Sequence, residues 1–383
     1  MKIGIPKETF PGEKRVAVTP ASLGALSKSG ITALVESGAG VRAGYPDSAY
    51  AEKGATIVAD RVGVFAADVI AQVRAAGENL AHGEQDLKLM RPGQWIVASC
   101  DALSSRESVE AIARTGAMLF ALELIPRITR AQSMDILSSQ ATIAGYRAVL
   151  LAASELHKIF PMMMTAAGTL SAAKVFVLGA GVAGLQAIAT SKRMGAIVYG
   201  YDLRPACREQ VESLGGKFVE LAIANSNAED KGGYAKAMDE DFYRQQRSQL
   251  AQTVAQCDVV ITTAAIPGRK SPLLVTGDAV RAMQPGSVVI DLAAQRGGNC
   301  ELTQADHRVI ENGVTILGPT NIVTDAAFHA SLMFGNNVTK FLQNMVKAGA
   351  ANLNMEDQII QETMVTRDGA IVHPKLAQTI QAA

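Results

Sequence analysis

The chain has 383 residues, more than a single hydrophobic core usually organises, so we expect two domains. Its 36 basic and 36 acidic residues cancel, which disfavours nucleic acid or an anionic membrane surface as a partner. Hydrophobic residues make up 48%, and the four cysteines form no CxxC pair. We therefore expect a reduced, cytosolic, globular protein without a metal site, a secretory signal or direct membrane insertion.

The first part of the chain alternates between strand-like and helix-like stretches. Strand-like runs occur at 33–35, 69–71 and 95–98, an alternation that predicts parallel α/β architecture. Residues 133–158 form a long helix candidate that stops at Phe160-Pro161. Another helix candidate runs from about Thr324 to Val346, and we expect it to pack back on the N-terminal domain. That domain is then discontinuous, with residues 1–140 plus 325–383.

The middle of the chain predicts a second α/β domain over residues 141–324. An apolar run at 174–178 ends in a glycine cluster, followed by a helix candidate through Arg193. Further strand candidates are 196–202, 258–262, 287–291 and 314–317. The predicted fold is therefore α/β, with two Rossmann-like, doubly wound parallel-sheet domains and a cleft between them. Residues near 224–241 lack apolar periodicity and predict a mobile surface loop, either a functional lid or an inert excursion.

The glycine cluster Gly179, Gly181 and Gly184 has the spacing of a dinucleotide-binding turn. The first glycine permits the tight turn, the second lets backbone approach a pyrophosphate, and the third lets the helix pack on the strand. Asp202 closes the next strand, at the distance expected for an acid that accepts hydrogen bonds from the adenosine ribose. The pattern favours NAD over NADP, although the neighbouring Arg204 leaves the reverse preference open.

Two further segments carry a family resemblance. PRITRAQSMDILSSQ at 126–140 and FPMMMTAAGT at 160–169 closely resemble the NAD(H)-binding component of proton-translocating NAD(P) transhydrogenases, in the alanine dehydrogenase/transhydrogenase superfamily. The resemblance continues at 181–190, 212–218, 232–236 and 366–374 and covers essentially the whole chain. It implies Si/Re-specific hydride transfer between NADH bound by this chain and NADP⁺ on a partner subunit, which would be the subunit that binds NADP(H). Transfer between two nicotinamides releases no proton, so no general base is required.

The resemblance also implies roles for particular residues. Four would shape the nicotinamide pocket, with Gln132 holding the ring near its partner: Arg127, Gln132, Asp135 and Ser138. Three more would line the adenosine half beside Asp202: Val182, Leu203 and Arg204. Four would belong to the lid or the pocket wall: Gly233, Tyr234, Gln246 and Ala265. If Arg127 and Asp135 pair, a loop or bend must bring them together, because they are too far apart to be helical neighbours.

The same resemblance implies a multi-subunit assembly. The chain stops at Ala383 without the membrane helices of longer family members, so we expect the split form with separate NADP-binding and membrane-spanning subunits. We also expect a homodimer, held through its partners at the inner face of the plasma membrane.

Two rival interpretations remain. Alanine dehydrogenase has a similar start, but where its catalytic His and Asp align this chain has Ser99 and Gln295, and its substrate-binding Lys is missing near 72–74. Arg15 alone survives, and a structural salt bridge is its simplest role. The other rival is an NAD sensor without turnover. Met162 to Met164 are interpreted as core filler or a packed turn.

Overall fold

The computed structural model describes residues 1–222, 239–265 and 269–381. It divides into two compact units, one formed by Met1–Gln140 with Val323–Ala383 and the other by Ala141–Ile322. The chain thus re-enters the first unit at Val323, two residues before the boundary at residue 325 that the sequence suggested.

The first unit is built on a six-stranded sheet in the order β3-β2-β1-β4-β5-β6. Every neighbouring pair in it is parallel. Its strands are β1 (Lys2–Ile5), β2 (Thr32–Glu36), β3 (Thr56–Val58), β4 (Val69–Arg74), β5 (Trp95–Ser99) and β6 (Met118–Ala121). Its helices between these strands are α1 (Pro20–Lys28), α2 (Asp47–Ala51), α3 (Arg61–Phe65), α4 (Glu84–Leu87) and α5 (Arg106–Arg114). Strands β4 and β5 are buried at every residue, as expected where helices cover both faces of a parallel sheet.

A long helix and a short hairpin follow the first sheet. Helix α6 (Ile136–Glu155) confirms the helix predicted at 133–158 and is the one described helix long and apolar enough to cross a membrane. About a third of its apolar window is buried inside the protein. The prediction for the three methionines was wrong: β7 (Met163–Thr165) pairs with β8 (Gly168–Leu170) in an exposed antiparallel hairpin.

The second unit contains a seven-stranded sheet in the order β11-β10-β9-β12-β13-β15-β14. All pairs are parallel except the edge pair β14 and β15. Its strands are β9 (Lys174–Leu178), β10 (Ile197–Tyr201), β11 (Lys217–Phe218), β12 (Val259–Thr262), β13 (Val288–Asp291), β14 (Arg308–Glu311) and β15 (Val314–Leu317). Its helices are α7 (Val182–Arg193), α8 (Cys207–Ser213), α9 (Glu240–Ala255) and α10 (Gly277–Arg281). The predicted strands and the doubly wound order of this unit are confirmed.

The C-terminal stretch belongs to the first unit. It comprises α11 (Ala327–Met345), β16 (Val346–Lys347), β17 (Ala350–Ala351), α12 (Gln358–Thr363), β18 (Thr366–Arg367), β19 (Ala370–Ile371) and α13 (Pro374–Gln381). Helix α11 buries Phe334, Val338 and Phe341 in the same core as Ile3 of β1. The Phe341 ring meets Phe120 edge to face at 5.9 Å between centroids. This packing makes the first unit discontinuous in sequence.

Candidate functional site

The glycine turn of the second unit follows strand β9, and each glycine answers a different steric demand. Gly179 has φ +96°, and a Cβ there would lie 2.6 Å from the Thr263 hydroxyl. A Cβ on Gly184 would lie 1.8 Å from the Gly179 carbonyl oxygen. A Cβ on Gly181, by contrast, would meet no atom within 4 Å. The fold itself therefore requires glycine at 179 and 184, whereas Gly181 leaves room for a ligand.

That open space lies at the start of helix α7. Gly181 precedes the helix and supplies no side-chain cap, and Val182 at its first position is 40% exposed. Uncapped N–H groups and the positive end of a helix dipole favour a phosphate group. The turn also lies where β9 is flanked by β10 on one side and β12 on the other, the switch point at which doubly wound sheets bind nucleotides. The residues present therefore fit a dinucleotide pyrophosphate.

Asp202 stands just beyond β10, and its carboxylate is already engaged within the chain. One oxygen accepts the Ala180 N–H at 2.7 Å and an Arg204 guanidinium N–H at 2.9 Å. The other accepts the Arg204 backbone N–H and Nε, both at 2.9 Å. Burial opposes the charge of Asp202, but the hydrogen bonds and charge of Arg204 outweigh it and hold the pKa of this carboxyl below its ordinary value. The structure thus brings Asp202, Arg204 and the glycine turn together.

Three of the remaining cofactor-contact candidates, Leu203, Gln246 and Ala265, lie on described parts of the second unit. Leu203 is buried beside Asp202, and Ala265 is exposed in the loop after β12. Gln246 is buried on α9, where its Nε2 donates to the Tyr201 hydroxyl at 2.8 Å while its Oε1 has no hydrogen-bond partner among the described residues. Burial raises the pKa of Tyr201 to about 12, so this hydroxyl stays protonated. Two candidates, Gly233 and Tyr234, lie outside the described residues.

In the first unit, the segment from Arg127 to Ser138 contains the other candidate residues. A 3₁₀ turn over Thr129–Met134 leads into helix α6, and its Ala131 and Met134 are buried in the core. Arg127 and Gln132 are exposed, while Asp135 and Ser138 are half-buried. The segment therefore rests on the core by its small and apolar residues and presents Gln132 outward.

Within this segment the structure brings Asp135 and Ser138 together. The Asp135 carboxylate accepts the Ser138 backbone N–H at 2.9 Å and the Ser138 hydroxyl at 2.6 Å. An acceptor in this position satisfies one of the free N–H groups at the start of α6. Asp135 thereby fixes the point at which the 3₁₀ turn becomes the long helix.

A buried ionic cluster in the first unit escaped the sequence analysis. It lies where β1 and β4 adjoin, the switch point of the first sheet. Glu8, which follows β1, accepts the Val73 N–H at 2.6 Å, and Arg74 at the end of β4 donates to Glu13 and Glu78, each at 3.0 Å. Burial and the nearby Glu13 raise the pKa of Glu8 to about 8, so it holds its proton at neutral pH. Charged residues directly after two strand candidates were the signal that could have revealed this cluster.

Arg15 belongs to the same cluster. Its guanidinium forms a two-pronged ion pair with Glu13 at 2.8 and 2.7 Å, and both side chains are buried, which confirms the predicted structural salt bridge. Its Nη1 also donates to Gln140 Oε1 at 2.9 Å. Ser99 donates to Glu78 at 2.5 Å. The cations at this switch point are thus paired with carboxylates of the chain itself.

Comparison with known proteins agrees with this architecture. The family descriptions "Alanine dehydrogenase/PNT, N-terminal domain" and "Alanine dehydrogenase/PNT, C-terminal domain" match residues 4–144 and 148–374. An NAD(P) transhydrogenase alpha subunit polypeptide of Rhodospirillum rubrum is 47% identical over 98% of this chain and 99% of its own length. The crystal structure of transhydrogenase from Sinorhizobium meliloti has a TM-score of 0.87 and 44% identity, covering 97% of this chain and 100% of that one.

Similarity to the rival enzyme is lower. Alanine dehydrogenase of Bacillus subtilis is 26% identical over 99% of this chain and 95% of its own length. The higher identity to the transhydrogenase subunits accords with the ionic cluster, in which Arg15 is paired internally. The chain therefore belongs to the alanine dehydrogenase/PNT family, and within that family it groups with the alpha subunits of NAD(P) transhydrogenase.

Proposed function

We propose that this chain binds NADH, with the adenosine and pyrophosphate held by its second unit, and that hydride passes directly from it to NADP⁺ on a separate polypeptide, coupled to proton translocation through a membrane subunit. The observation that carries the proposal is the open space over Gly181 at the start of α7, beside the buried carboxylate of Asp202. A phosphate-sized gap, a helix N-terminus and a ribose-binding acid in this order are what a dinucleotide requires.

The pyrophosphate is assigned to the turn at Gly179, Gly181 and Gly184, with Val182 at the helix start. The adenosine half is assigned to Asp202, Leu203 and Arg204, and the pocket wall to Gln246 and Ala265, with Gly233 and Tyr234 in the lid. The nicotinamide is assigned to the segment that carries Arg127, Gln132, Asp135 and Ser138. Support for the last assignment comes from the two rigid features of that segment, its buried Ala131 and the Asp135 to Ser138 hydrogen bonds.

Preference for NADH follows from the electrostatics around Asp202. The ribose 2′-hydroxyl of NADH donates a hydrogen bond to a carboxylate, whereas the 2′-phosphate of NADPH brings about two negative charges against it. Because Arg204 occupies both oxygens of Asp202, ribose binding exchanges guanidinium hydrogen bonds for hydroxyl ones. Arg204 therefore tunes the preference without reversing it.

The main requirement that this reaction places on the protein is to position the two nucleotides. NADH supplies a hydride when bound; its oxidation to NAD⁺ and the reduction of NADP⁺ to NADPH balance without a proton. The exposed Gln132 would hold the nicotinamide ring near its partner, while Asp135 and Ser138 keep the segment in one conformation. Orientation of two reactants and exclusion of water account for large rate enhancements without acid or base groups.

The proposed assembly contains separate NADP-binding and membrane-spanning subunits, which hold the chain at the inner face of the plasma membrane.

We further propose that two copies of the chain form a homodimer. In the hairpin β7–β8, Met163, Met164 and Leu170 expose 46%, 76% and 49% of their surfaces. Apolar side chains concentrated on one small exposed hairpin favour burial against another chain, and a second copy is the partner always present. Sedimentation equilibrium of the wild type and of Met164→Glu tests this, because a dimer that uses the hairpin dissociates in the variant.

A three-arm activity assay tests the hydride-transfer proposal. The purified chain receives NADH and an oxidised NADP analogue in one arm and the same mixture plus the separately expressed NADP-binding component in a second. A third arm contains NADH with pyruvate and ammonia. Turnover only in the second arm is expected. Turnover in the third arm identifies an alanine dehydrogenase, and NADH binding without turnover in any arm identifies a sensor.

A further inference from the structure

Helix α11 of the first unit carries two asparagines on one face that contact the segment from Arg127 to Ser138. Asn337 and Asn344 are seven residues apart, two helical turns, and so lie on the same side of the helix. Neither residue belongs to the sequence motifs that indicate the nucleotide site. Both asparagines form hydrogen bonds with groups that neighbour the proposed nicotinamide-pocket residues in sequence or in space.

Asn337 is buried and uses both ends of its amide. Its Nδ2 donates to the Ser133 carbonyl at 2.9 Å, and its Oδ1 accepts the Ser139 hydroxyl at 2.7 Å. Ser133 directly follows Gln132, and Ser139 directly follows Ser138. One side chain therefore ties together the two ends of the stretch that contains Asp135.

A second anchor lies further back along the same segment. Arg130 pairs with both carboxylate oxygens of Asp357, one of them at 3.0 Å, and Asn344 Nδ2 donates to the same carboxylate at 2.9 Å. Asp357 also accepts the Ile359 N–H at 2.8 Å, so it caps α12 while it holds Arg130. The pKa of Asp357 is lowered to about 2 by these hydrogen bonds, led by that of Arg130.

The two anchors differ in their surroundings. Arg130 is half exposed, and exposed ion pairs contribute little to stability because water screens them. Asn337 is 7% exposed, so its two hydrogen bonds are better shielded from solvent than the Arg130 ion pair. Truncating it removes both bonds, although the Ser139 hydroxyl keeps the Ile136 carbonyl as an acceptor at 3.1 Å. The Asn337 contacts therefore restrain the conformation of the segment more strongly.

We propose that Asn337 is a positioning residue for hydride transfer: it fixes the 133–139 stretch so that Gln132, Asp135 and Ser138 keep one arrangement. The expected effect on the hydride-transfer rate rests on the proposed function. The expected effect on the conformation of residues 133–139 does not. Both hydrogen bonds of the Asn337 amide go to this stretch of the first unit, whereas the glycine turn belongs to the second. NADH affinity and transfer rate therefore respond differently to its loss.

The test compares Asn337→Ala with Asn336→Ala, a matched control on the exposed side of the same helix. With the NADP-binding component present and both nucleotides saturating, Asn337→Ala is expected to lower the single-turnover transfer rate about ten- to a hundredfold, the scale of an ångström-level misplacement. The NADH dissociation constant is expected to stay within about twofold, because, among the described residues, Asn337 makes no hydrogen bond to the glycine turn. A tenfold change in that constant would correspond to about 1.4 kcal/mol. Asn336→Ala changes neither quantity.

Two further measurements keep the test decisive. Ser139→Ala removes the hydroxyl that donates to Asn337, together with its contact to the Ile136 carbonyl at 3.1 Å. Its effect on the rate is expected to be non-additive with that of Asn337→Ala. Hydrogen exchange of the 130–140 peptide is expected to accelerate in Asn337→Ala but not in Asn336→Ala.

The outcomes separate the two claims. Wild-type chain that transfers no hydride refutes the proposed function, and hydrogen exchange still decides whether Asn337 holds the segment. An Asn337→Ala rate equal to wild type, or a parallel loss of NADH affinity, overturns the inference. If Asn337→Ala fails to fold, an unchanged rate and unchanged exchange in Ser139→Ala overturn it instead.

Discussion

Replacing Asp202 with asparagine tests the nucleotide preference of the second unit most sharply. The carboxylate accepts four hydrogen bonds, at 2.7, 2.9, 2.9 and 2.9 Å, and two of them come from the Arg204 side chain. In Asp202→Asn, one acceptor oxygen becomes an N–H group that faces donors. The variant also loses the negative charge that would accept the ribose hydroxyls.

The magnitude follows from the strength of hydrogen bonds to a charged group. Losing one such bond costs about 1.5–3 kcal/mol, which weakens NADH binding by roughly ten- to a hundredfold. NADPH affinity is expected to hold or rise, because its 2′-phosphate no longer meets a carboxylate and meets the Arg204 guanidinium instead. The preference for NADH over NADPH therefore falls by more than about tenfold.

Fluorescence titration of the purified chain with NADH and NADPH measures both dissociation constants. Asp278→Asn is a suitable control, since Asp278 is an exposed aspartate of the same unit on α10. Unchanged NADH affinity in Asp202→Asn, or equal losses for both nucleotides, refutes the assignment of Asp202 to the adenosine ribose.

Three other predictions follow from the two units. Gly181→Ala is expected to weaken NADH binding without lowering the melting temperature. Gly184→Ala is expected to destabilise the chain, because its Cβ would lie 1.8 Å from the Gly179 oxygen. Equal melting curves for the two variants would contradict this difference. Arg15→Met is expected to lower the free energy of unfolding by about 3 kcal/mol, the scale of a broken buried ion pair; a loss below about 1 kcal/mol in urea titration indicates that the pair is dispensable. Glu8 has an ordinary pKa of 4.5 and a folded pKa of about 8, so its contribution to stability is complete below pH 4.5 and is lost as pH rises toward 8. Thermal melts of Glu8→Gln from about pH 5 to about pH 8.5 should therefore show a shallower decline than wild type, and identical slopes exclude Glu8 as the source.

Periodicity and turn chemistry predicted much of the second unit. The run at 174–178 coincides with β9, and the run at 314–317 coincides with β15. These strands are largely apolar and bounded by glycine or polar residues, so the local signal is strong. The turn at Gly179 and its closeness to Asp202 could also be expected from the sequence, because the residues that form it lie close together along the chain.

The exposed hairpin and the internal anchors were not predictable in the same way. Met163 and Met164 are as apolar as core residues, and nothing local distinguishes a side chain that packs inside from one that faces outward. Asn337 lies 204 residues from Ser133 and 198 from Ser139, and its role emerges only when α11 packs on the first unit. The cluster of Glu8, Glu13 and Arg74 likewise forms only when β1 and β4 become neighbours.

The two sheets also show why a shared strand order need not mean a shared function. In the second unit the switch point is open over Gly181 and offers N–H groups. In the first unit the corresponding edge is filled by Arg15, Arg74 and their carboxylate partners. A nucleotide or an oxoacid would have to displace a buried ion pair there.

The most direct test of hydride transfer between two nucleotides is a single-turnover experiment with NADH deuterated at the transferred position. The chain is mixed with the NADP-binding component and an oxidised NADP analogue, and the label is followed by mass spectrometry. Direct transfer predicts that the deuterium reaches the reduced analogue with none released to water. Label found in the solvent, or an analogue reduced without deuterium, would contradict it.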